Sequence, residues 1–163
     1  GEAAYPQDLR SYGLQGGDFD IAPHGKLMTQ GFHSFDHPVR LDSWQPHMHL
    51  RGVAMSIEVF SPETGRREVL SQASNWNAGW NHSHIYAEGS QPLIPAGAVI
   101  ILTAWYDNSA DNPRNPDPDQ WVGMGQRTTD EMSHAWVGIT YLDQEDYERL
   151  RAERERQRLR ADQ

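Results

Sequence analysis

Apolar and polar residues alternate along Val53–Val59, where the odd positions are Val, Met, Ile and Val and the even positions are small or polar. Successive side chains of an extended strand point to opposite faces, so this pattern predicts a strand with one buried face. Turn-forming residues follow it at Ser61–Gly65 and recur further along at Pro95–Gly97. The segment therefore predicts a half-buried strand that ends in a turn.

Other short segments have the composition of strands and are separated by similar turns. No helical periodicity occurs before residue 143, so residues 18–143 predict an all-β fold, an antiparallel jelly-roll-like β-sandwich. The predicted strands are Lys26–Phe35, Val39–Leu50, Val53–Phe60, Arg67–Gln72, His84–Ala87, Val99–Tyr106 and Ser133–Leu142.

The two ends of the chain differ from this middle part. Residues 1–17 are rich in Gly, Pro and polar residues, which predicts an irregular N-terminal arm that could wrap a neighbouring chain. Residues 144–163 predict a charged C-terminal helix, supported by pairs such as Glu145 and Arg149. Its apolar residues are too sparse for a continuous stripe, so a solvated tail and a docking helix for another chain both remain open.

Composition narrows the possible partners. The formal net charge of −9 argues against nucleic acid as a partner, because a polyanion is bound by clustered Lys and Arg. The absence of Cys excludes disulfides and thiolate metal sites, so a soft metal would depend on His and Met. No apolar run approaches the length of a membrane span, so no transmembrane segment and no signal peptide are predicted.

One pattern carries candidate metal chemistry. His47 and His49 are two residues apart in a predicted strand, so both imidazoles should project from the same face and could bind one metal. Met132 lies far downstream, and its soft thioether would favour Cu(I) over zinc. Three neutral ligands would leave one coordination position open, which suits a reactive metal better than a structural one. Taken singly, a His-x-His pair is more often a pair of surface residues, and a lone Met such as Met132 is usually a core residue.

The residues around these three favour the metal interpretation. Pro46–Gly52, Trp105–Ser109 and Gln126–Met132 resemble, in order and approximate spacing, the second domain of the copper type II ascorbate-dependent monooxygenases. Peptidylglycine alpha-hydroxylating monooxygenase and dopamine beta-monooxygenase are familiar members. The resemblance covers residues 18–143. It implies a jelly-roll-like fold, a periplasmic or extracellular location and a copper ion bound by His47, His49 and Met132, at which O2 is activated to hydroxylate a substrate C–H bond.

Departures from that family affect the expected substrate. Family members of known activity carry a preceding domain in which three His, including an adjacent His-His pair, hold a second copper, and the present sequence has no such pair. At the positions where the peptidylglycine enzyme holds its substrate carboxylate with Arg, Asn and Tyr, this chain has Gln45, His134 and Trp136. A peptidylglycine substrate is therefore not expected, because the Arg suited to a carboxylate is missing. Trp136 would instead form an apolar or aromatic pocket wall.

Several further residues have two interpretations. His134 is a candidate fourth ligand, or a donor that orients the other ligands. His82 and His84 repeat the two-residue spacing and could form a second metal site, or be ordinary surface residues. Residues 107–120 are dense in Asp, Asn and Pro, which suits either a calcium site or a rigid turn-rich loop. The tryptophans could form the core or line a cleft, and those beside the predicted sites are Trp44, Trp76, Trp80 and Trp136.

Three functions follow from these features. The first, favoured by the resemblance, is a copper-dependent monooxygenase that acts on a small-molecule substrate. The second is a copper-binding or electron-transfer module that serves a redox partner protein without hydroxylase activity. The third is a structural subunit that docks into a larger extracytoplasmic assembly through its N-terminal arm and C-terminal helix.

Overall fold

The computed structural model describes residues 19–80 and 82–161, together with the backbone of residues 5–10. This part of the chain forms nine strands and one helix. In chain order they are β1 (Tyr5–Arg10), β2 (Lys26–Ser34), β3 (Val39–His47), β4 (Gly52–Ser61), β5 (Arg66–Ser74), β6 (His84–Ile85), β7 (Leu93–Ile94), β8 (Val99–Asp107), β9 (His134–Tyr141) and α1 (Gln144–Ala161).

The strands form two antiparallel sheets. One sheet has the order β1-β9-β3-β6, with β7 also paired to β3, and the other has the order β2-β8-β4-β5. Their inner faces bury one apolar core, to which β3 contributes Leu41 and Trp44 and β8 contributes Ile100 and Leu102. The jelly-roll-like β-sandwich with a C-terminal helix predicted from the sequence is thereby confirmed.

The alternating pattern correctly predicted which residues of β4 face the core. Met55 and Ile57 are fully buried in the core, as the pattern requires. The polar positions Ser56 and Glu58 are also buried, and Glu58 contacts Thr103 of the neighbouring strand β8. The Glu58 carboxylate accepts hydrogen bonds from Ser56 and from Arg67 of the adjacent strand β5. The polar side chains of Ser56 and Glu58 are therefore buried and hydrogen-bonded rather than exposed to solvent.

The structure differs from the predicted strand bounds at the end of β3, next to the candidate metal ligands, and in the N-terminal arm. The strand predicted to reach Leu50 ends at His47, because its partner β9 begins at His134, which pairs with His47. The next residues turn into β4, so His49 lies beyond the strand rather than on it. Within the predicted irregular arm, Tyr5–Arg10 form β1 along the free edge of β9, while residues 1–4 and 11–18 lie outside the described part.

Helix α1 begins with an N-cap and remains largely solvated. The Asp143 carboxylate accepts a hydrogen bond from the Asp146 backbone N–H at 2.7 Å, which satisfies an N-terminal donor. Tyr147 is the residue of α1 that is buried, and Leu159 is exposed. The predicted helix is confirmed over residues 144–161, and residues 162–163 are outside the described chain. Across the described residues, no helix combines the length and the hydropathy needed to cross a membrane.

Candidate metal centre

The first predicted ligand, His47, stands at the end of β3 among aromatic rings. It pairs with His134 at the start of β9, and the two ring centroids are 4.7 Å apart at an interplanar angle of 34°. The Trp136 ring lies 5.5 Å from His47 and 4.2 Å from His134, edge to face in both cases. His134 is buried and Trp136 is 39% exposed, so Trp136 forms the solvent side of this group.

The second predicted ligand, His49, lies next to the first. The centroids of the two imidazoles are 5.3 Å apart and their planes are nearly perpendicular. The Nδ1 atom of His49 is 3.0 Å from the backbone carbonyl oxygen of Asp130. Because a carbonyl oxygen can only accept, Nδ1 carries the proton in the neutral ring and the lone pair is on Nε2. This arrangement is the one by which proteins orient a histidine whose other nitrogen binds a metal.

A buried carboxylate joins the histidine segment to the methionine segment. Glu131 has no solvent exposure, and its two oxygens accept hydrogen bonds from the backbone N–H groups of His49 at 2.8 Å and Arg51 at 2.6 Å. Burial raises the pKa of Glu131 to about 7, against the opposing effect of the backbone N–H groups of Arg51, His49 and Met132. Residues 49–51 and 130–132 are therefore held side by side.

The third predicted ligand, Met132, is held through its backbone. Its carbonyl oxygen accepts a hydrogen bond from the Tyr106 hydroxyl at 2.8 Å. The next residue, Ser133, is buried and contacts the Thr29 hydroxyl. Along the chain, Met132 follows Glu131, whose carboxylate contacts His49. It comes two residues before His134, which pairs with His47. The structure brings together the chain segments of all three predicted ligands.

Arg51 ties the metal-centre segments to the loop at residues 107–120. Its guanidinium is buried and donates to the Asn108 side-chain oxygen at 2.7 Å, to the Thr129 carbonyl at 2.8 Å and to the Asp117 carbonyl at 3.3 Å. Burial lowers the pKa of Arg51, while the charge of Glu131 opposes this shift. The sequence predicted no individual role for Arg51, Asn108 or Glu131. In the structure, their buried hydrogen bonds hold the segments of the candidate ligands in place.

The Asn-rich and Pro-rich loop uses its side-chain oxygens and amides internally. Asn108 donates to the carbonyls of Ala22 and Gln120, and Asn112 donates to the carbonyls of Leu50 and Asp107. Further side-chain oxygens accept backbone N–H groups two residues ahead, as Asx turns do. These contacts support the rigid-loop interpretation of residues 107–120.

Two of the other histidines have contacts of their own. His84 is exposed and stacks on Trp44, and His24 pairs with Asp119 at 2.7 Å. In the described part of the chain, no three or more His, Cys, Asp or Glu side chains are arranged to hold a metal ion. His47, His49 and His134 therefore do not form a three-histidine set in this arrangement, and His134 flanks His47 instead.

The tryptophans divide between the two interpretations. Trp44 and Trp76 are buried in the core, as the structural interpretation predicted. Trp80 and Trp136 are 52% and 39% exposed, and Trp136 lies opposite Gln45 in the β3–β9 pairing. The exposed surface beside His47 therefore presents an indole and a neutral amide.

Comparisons with known proteins add little to this picture. No protein-family model matches the chain, and no curated protein matches it. One similar solved structure is described as "Structure of infectious bursal disease virus Gt strain", with a TM-score of 0.33 and 6% sequence identity. The alignment covers 85% of this chain and 33% of the viral chain. This chain therefore spans about a third of the length of that neighbour. A likeness this distant carries no argument about function.

Proposed function

We propose that this chain is a copper-binding domain in which one copper ion is held by His47, His49 and Met132. The observation that carries the proposal is the orientation of His49. Its Nδ1 faces the Asp130 carbonyl, which leaves Nε2 as the nitrogen able to bind a metal. The backbone N–H of His49 donates to the Glu131 carboxylate, so the segment that carries Met132 is in contact with the segment that carries His49.

The chemistry of the donor set fits copper. Two imidazoles and a thioether are neutral, and the thioether favours the soft Cu(I) ion. The buried carboxylate of Glu131 already accepts two backbone N–H groups, so it supports the ligand segments rather than competing as a ligand. Zinc, in contrast, is usually bound by thiolate, imidazole or carboxylate.

We further propose that the domain serves O2-dependent C–H hydroxylation outside the cytoplasm, as its resemblance to the copper monooxygenases suggests. A bound copper with an open position would supply the redox chemistry with O2. The surface beside the centre, formed by Trp136 and Gln45, suits a substrate that is apolar or aromatic and lacks a carboxylate. Electrons would come from another domain, another chain or a small reductant.

The test is a copper titration of the purified protein in both oxidation states. Bound metal is measured by elemental analysis, the Cu(II) form by electron paramagnetic resonance, and the Cu(I) affinity by competition with a chromogenic Cu(I) chelator. The variants are His47→Ala, His49→Ala and Met132→Leu, with His37→Ala as a matched control, because His37 is exposed and precedes the start of β3, whereas His47 is at its end.

We expect one copper per chain in the parent protein and in the control. Either centre His variant should lose it. Met132→Leu should weaken Cu(I) binding by about tenfold or more and Cu(II) binding much less, because the thioether is a soft ligand. Equal copper binding by the parent and both His variants would overturn the site. Copper binding without reductant-dependent O2 consumption would reject the oxygenase in favour of the electron-transfer alternative.

A further inference from the structure

Helix α1 and the neighbouring part of the sandwich line an open cavity. The cavity has a volume of about 490 Å³ and lies between α1, strands β4 and β5, and residues 86–93. Its apolar wall consists of Val59, Val69, Leu70, Leu93 and the two rings of Tyr86 and Tyr147. The Tyr86 hydroxyl donates to the Leu70 carbonyl at 3.4 Å and joins the two sides of the cavity. This size lies within the usual range of small-molecule sites, roughly 300–1,000 Å³.

The helix contributes cations to this apolar cavity. Arg151, Arg154 and Arg158 line it, together with the acidic residues Glu68 and Glu155. Arg158 pairs with Glu155 at 3.0 Å. Arg154 is half-buried, and among the described residues no ion pair or side-chain hydrogen bond involves it. The excess of guanidinium groups is local, since the whole chain has a formal net charge of −9.

Arg154 is partly desolvated and lies near a second cation, Arg40. Burial lowers the pKa of Arg154, and the nearby Arg40 adds a further lowering effect. Arg40 itself is paired with Asp42 at 2.6 Å, so the carboxylate of Asp42 is already used. A partly desolvated guanidinium gains most from a carboxylate, which it can bind through two parallel hydrogen bonds.

We propose that this cavity binds an amphiphilic anion, a medium-chain carboxylate whose alkyl chain lies on the apolar wall and whose carboxylate pairs with Arg154. The charge of the helix and the apolar surface beneath it are complementary to the two halves of such a molecule. The site is distinct from the metal centre, and its test does not depend on copper. The sequence alone left two roles open for α1, a solvated tail and a docking helix for another chain. The proposed anion site is a third role, in which the arginines of α1 bind a ligand.

Decanoate is the probe, titrated calorimetrically into the full chain below the concentration at which it forms micelles. Decyltrimethylammonium, with the same chain and the opposite charge, is the ligand control. Arg154→Gln tests the anion contact, and Arg156→Gln is the matched protein control, because Arg156 is on the same helix, is exposed and does not line the cavity. Val69→Asp places a carboxylate in the cavity wall without altering the helix.

We expect decanoate to bind the parent protein and Arg156→Gln equally, and the cationic probe not to bind. Arg154→Gln should weaken decanoate binding by about tenfold or more, because a hydrogen bond to a charged group is lost. Val69→Asp should weaken it similarly through charge repulsion, with the helix content unchanged in circular dichroism. Absence of decanoate binding would overturn the proposal, as would equal binding of both probes or unchanged affinity in both cavity variants.

Discussion

Replacing Gly52 with Ala should destabilise the protein, because this glycine allows two buried side chains to approach the backbone. A Cβ atom at position 52 would lie 2.6 Å from the Met48 Cβ, 2.9 Å from its Sδ and 3.0 Å from the Trp76 Cδ1. Met48 is 1% exposed and Trp76 is 3% exposed, so neither side chain can move into solvent. The added methyl group must therefore be accommodated by displacing core atoms.

The magnitude follows from two opposing effects. Overpacking of a core costs about 1–3 kcal/mol. A Gly to Ala change also removes freedom from the unfolded chain, which stabilises by roughly 0.4–1 kcal/mol where the backbone is unstrained. The net expectation is a loss of about 1–2 kcal/mol in the free energy of unfolding, or a Tm lower by about 2–8 °C for a domain of this size.

Urea denaturation followed by tryptophan fluorescence measures this loss directly. Gly79→Ala is the control, because its Cβ would meet only the Asn77 Oδ1 atom, at 3.3 Å, and Gly79 is exposed. We expect that control to change stability by less than about 0.5 kcal/mol. Met48→Gly removes both the Cβ and the Sδ contacts, so combined with Gly52→Ala it should be less destabilising than the sum of the single changes, by about 1 kcal/mol. Additive effects, or equal stability of Gly52→Ala and the control, would refute the steric argument.

Three further changes have expected outcomes. Asn108→Ala should lower the free energy of unfolding by about 2–4 kcal/mol in urea denaturation, because it leaves buried hydrogen-bond partners unsatisfied. Hydrogen bonding from Arg67 holds the pKa of Glu58 below its usual 4.5, so Glu58 stabilises the fold above pH 4.5 and loses this effect as pH falls. Glu58→Gln should therefore reduce stability at pH 7, and the difference from the parent should shrink progressively as the pH falls below 4.5. Asp143→Ala should cost about 1 kcal/mol and reduce helical circular dichroism on mild heating, because an N-cap is lost.

Each of these expectations has a contrary result. A stability of Asn108→Ala within the error of the parent would mean that water or a rearranged loop satisfies the partners of the lost amide. A stability difference for Glu58→Gln that is constant from pH 7 to pH 3 would show that the carboxylate acts through packing rather than charge. An unchanged helix signal in Asp143→Ala would mean that contacts along α1, rather than its cap, determine where the helix begins.

Local periodicity was sufficient to predict the long elements of the fold. The alternation at Met55 and Ile57 predicted the inner face of β4, and the Gly65 turn has the positive φ, 65°, that a glycine adopts readily. Strands β6 and β7 were not predicted at their actual bounds, since two residues are too few to show a period. Strand β1 depends on its partner β9 rather than on its own composition, which is why residues 5–10 gave no strand pattern.

The sequence was sufficient to propose which residues form the candidate site. It was not sufficient to predict the contacts that position them. The spacing of His47 and His49 predicted neighbouring imidazoles, and the rings are neighbours, although His49 lies in the turn beyond the strand. The contact between Glu131 and the backbone of His49 could not be read from the sequence. It depends on which face of a distant segment meets the turn after β3, and this is decided by packing of the whole sandwich.

That contact determines how the proposed centre would behave without metal. Residue 130 orients the His49 ring through its carbonyl, and residue 131 holds the backbone N–H of the same histidine, so one short segment fixes both the position and the tautomer of a ligand. Both contacts are hydrogen bonds between groups of the protein itself. The ordering of these segments therefore comes from the folding of the sandwich, and copper bound as proposed would meet ligands that the main chain has already placed. Copper should then stabilise the fold only to the extent of its own binding equilibrium, and should not be required for folding.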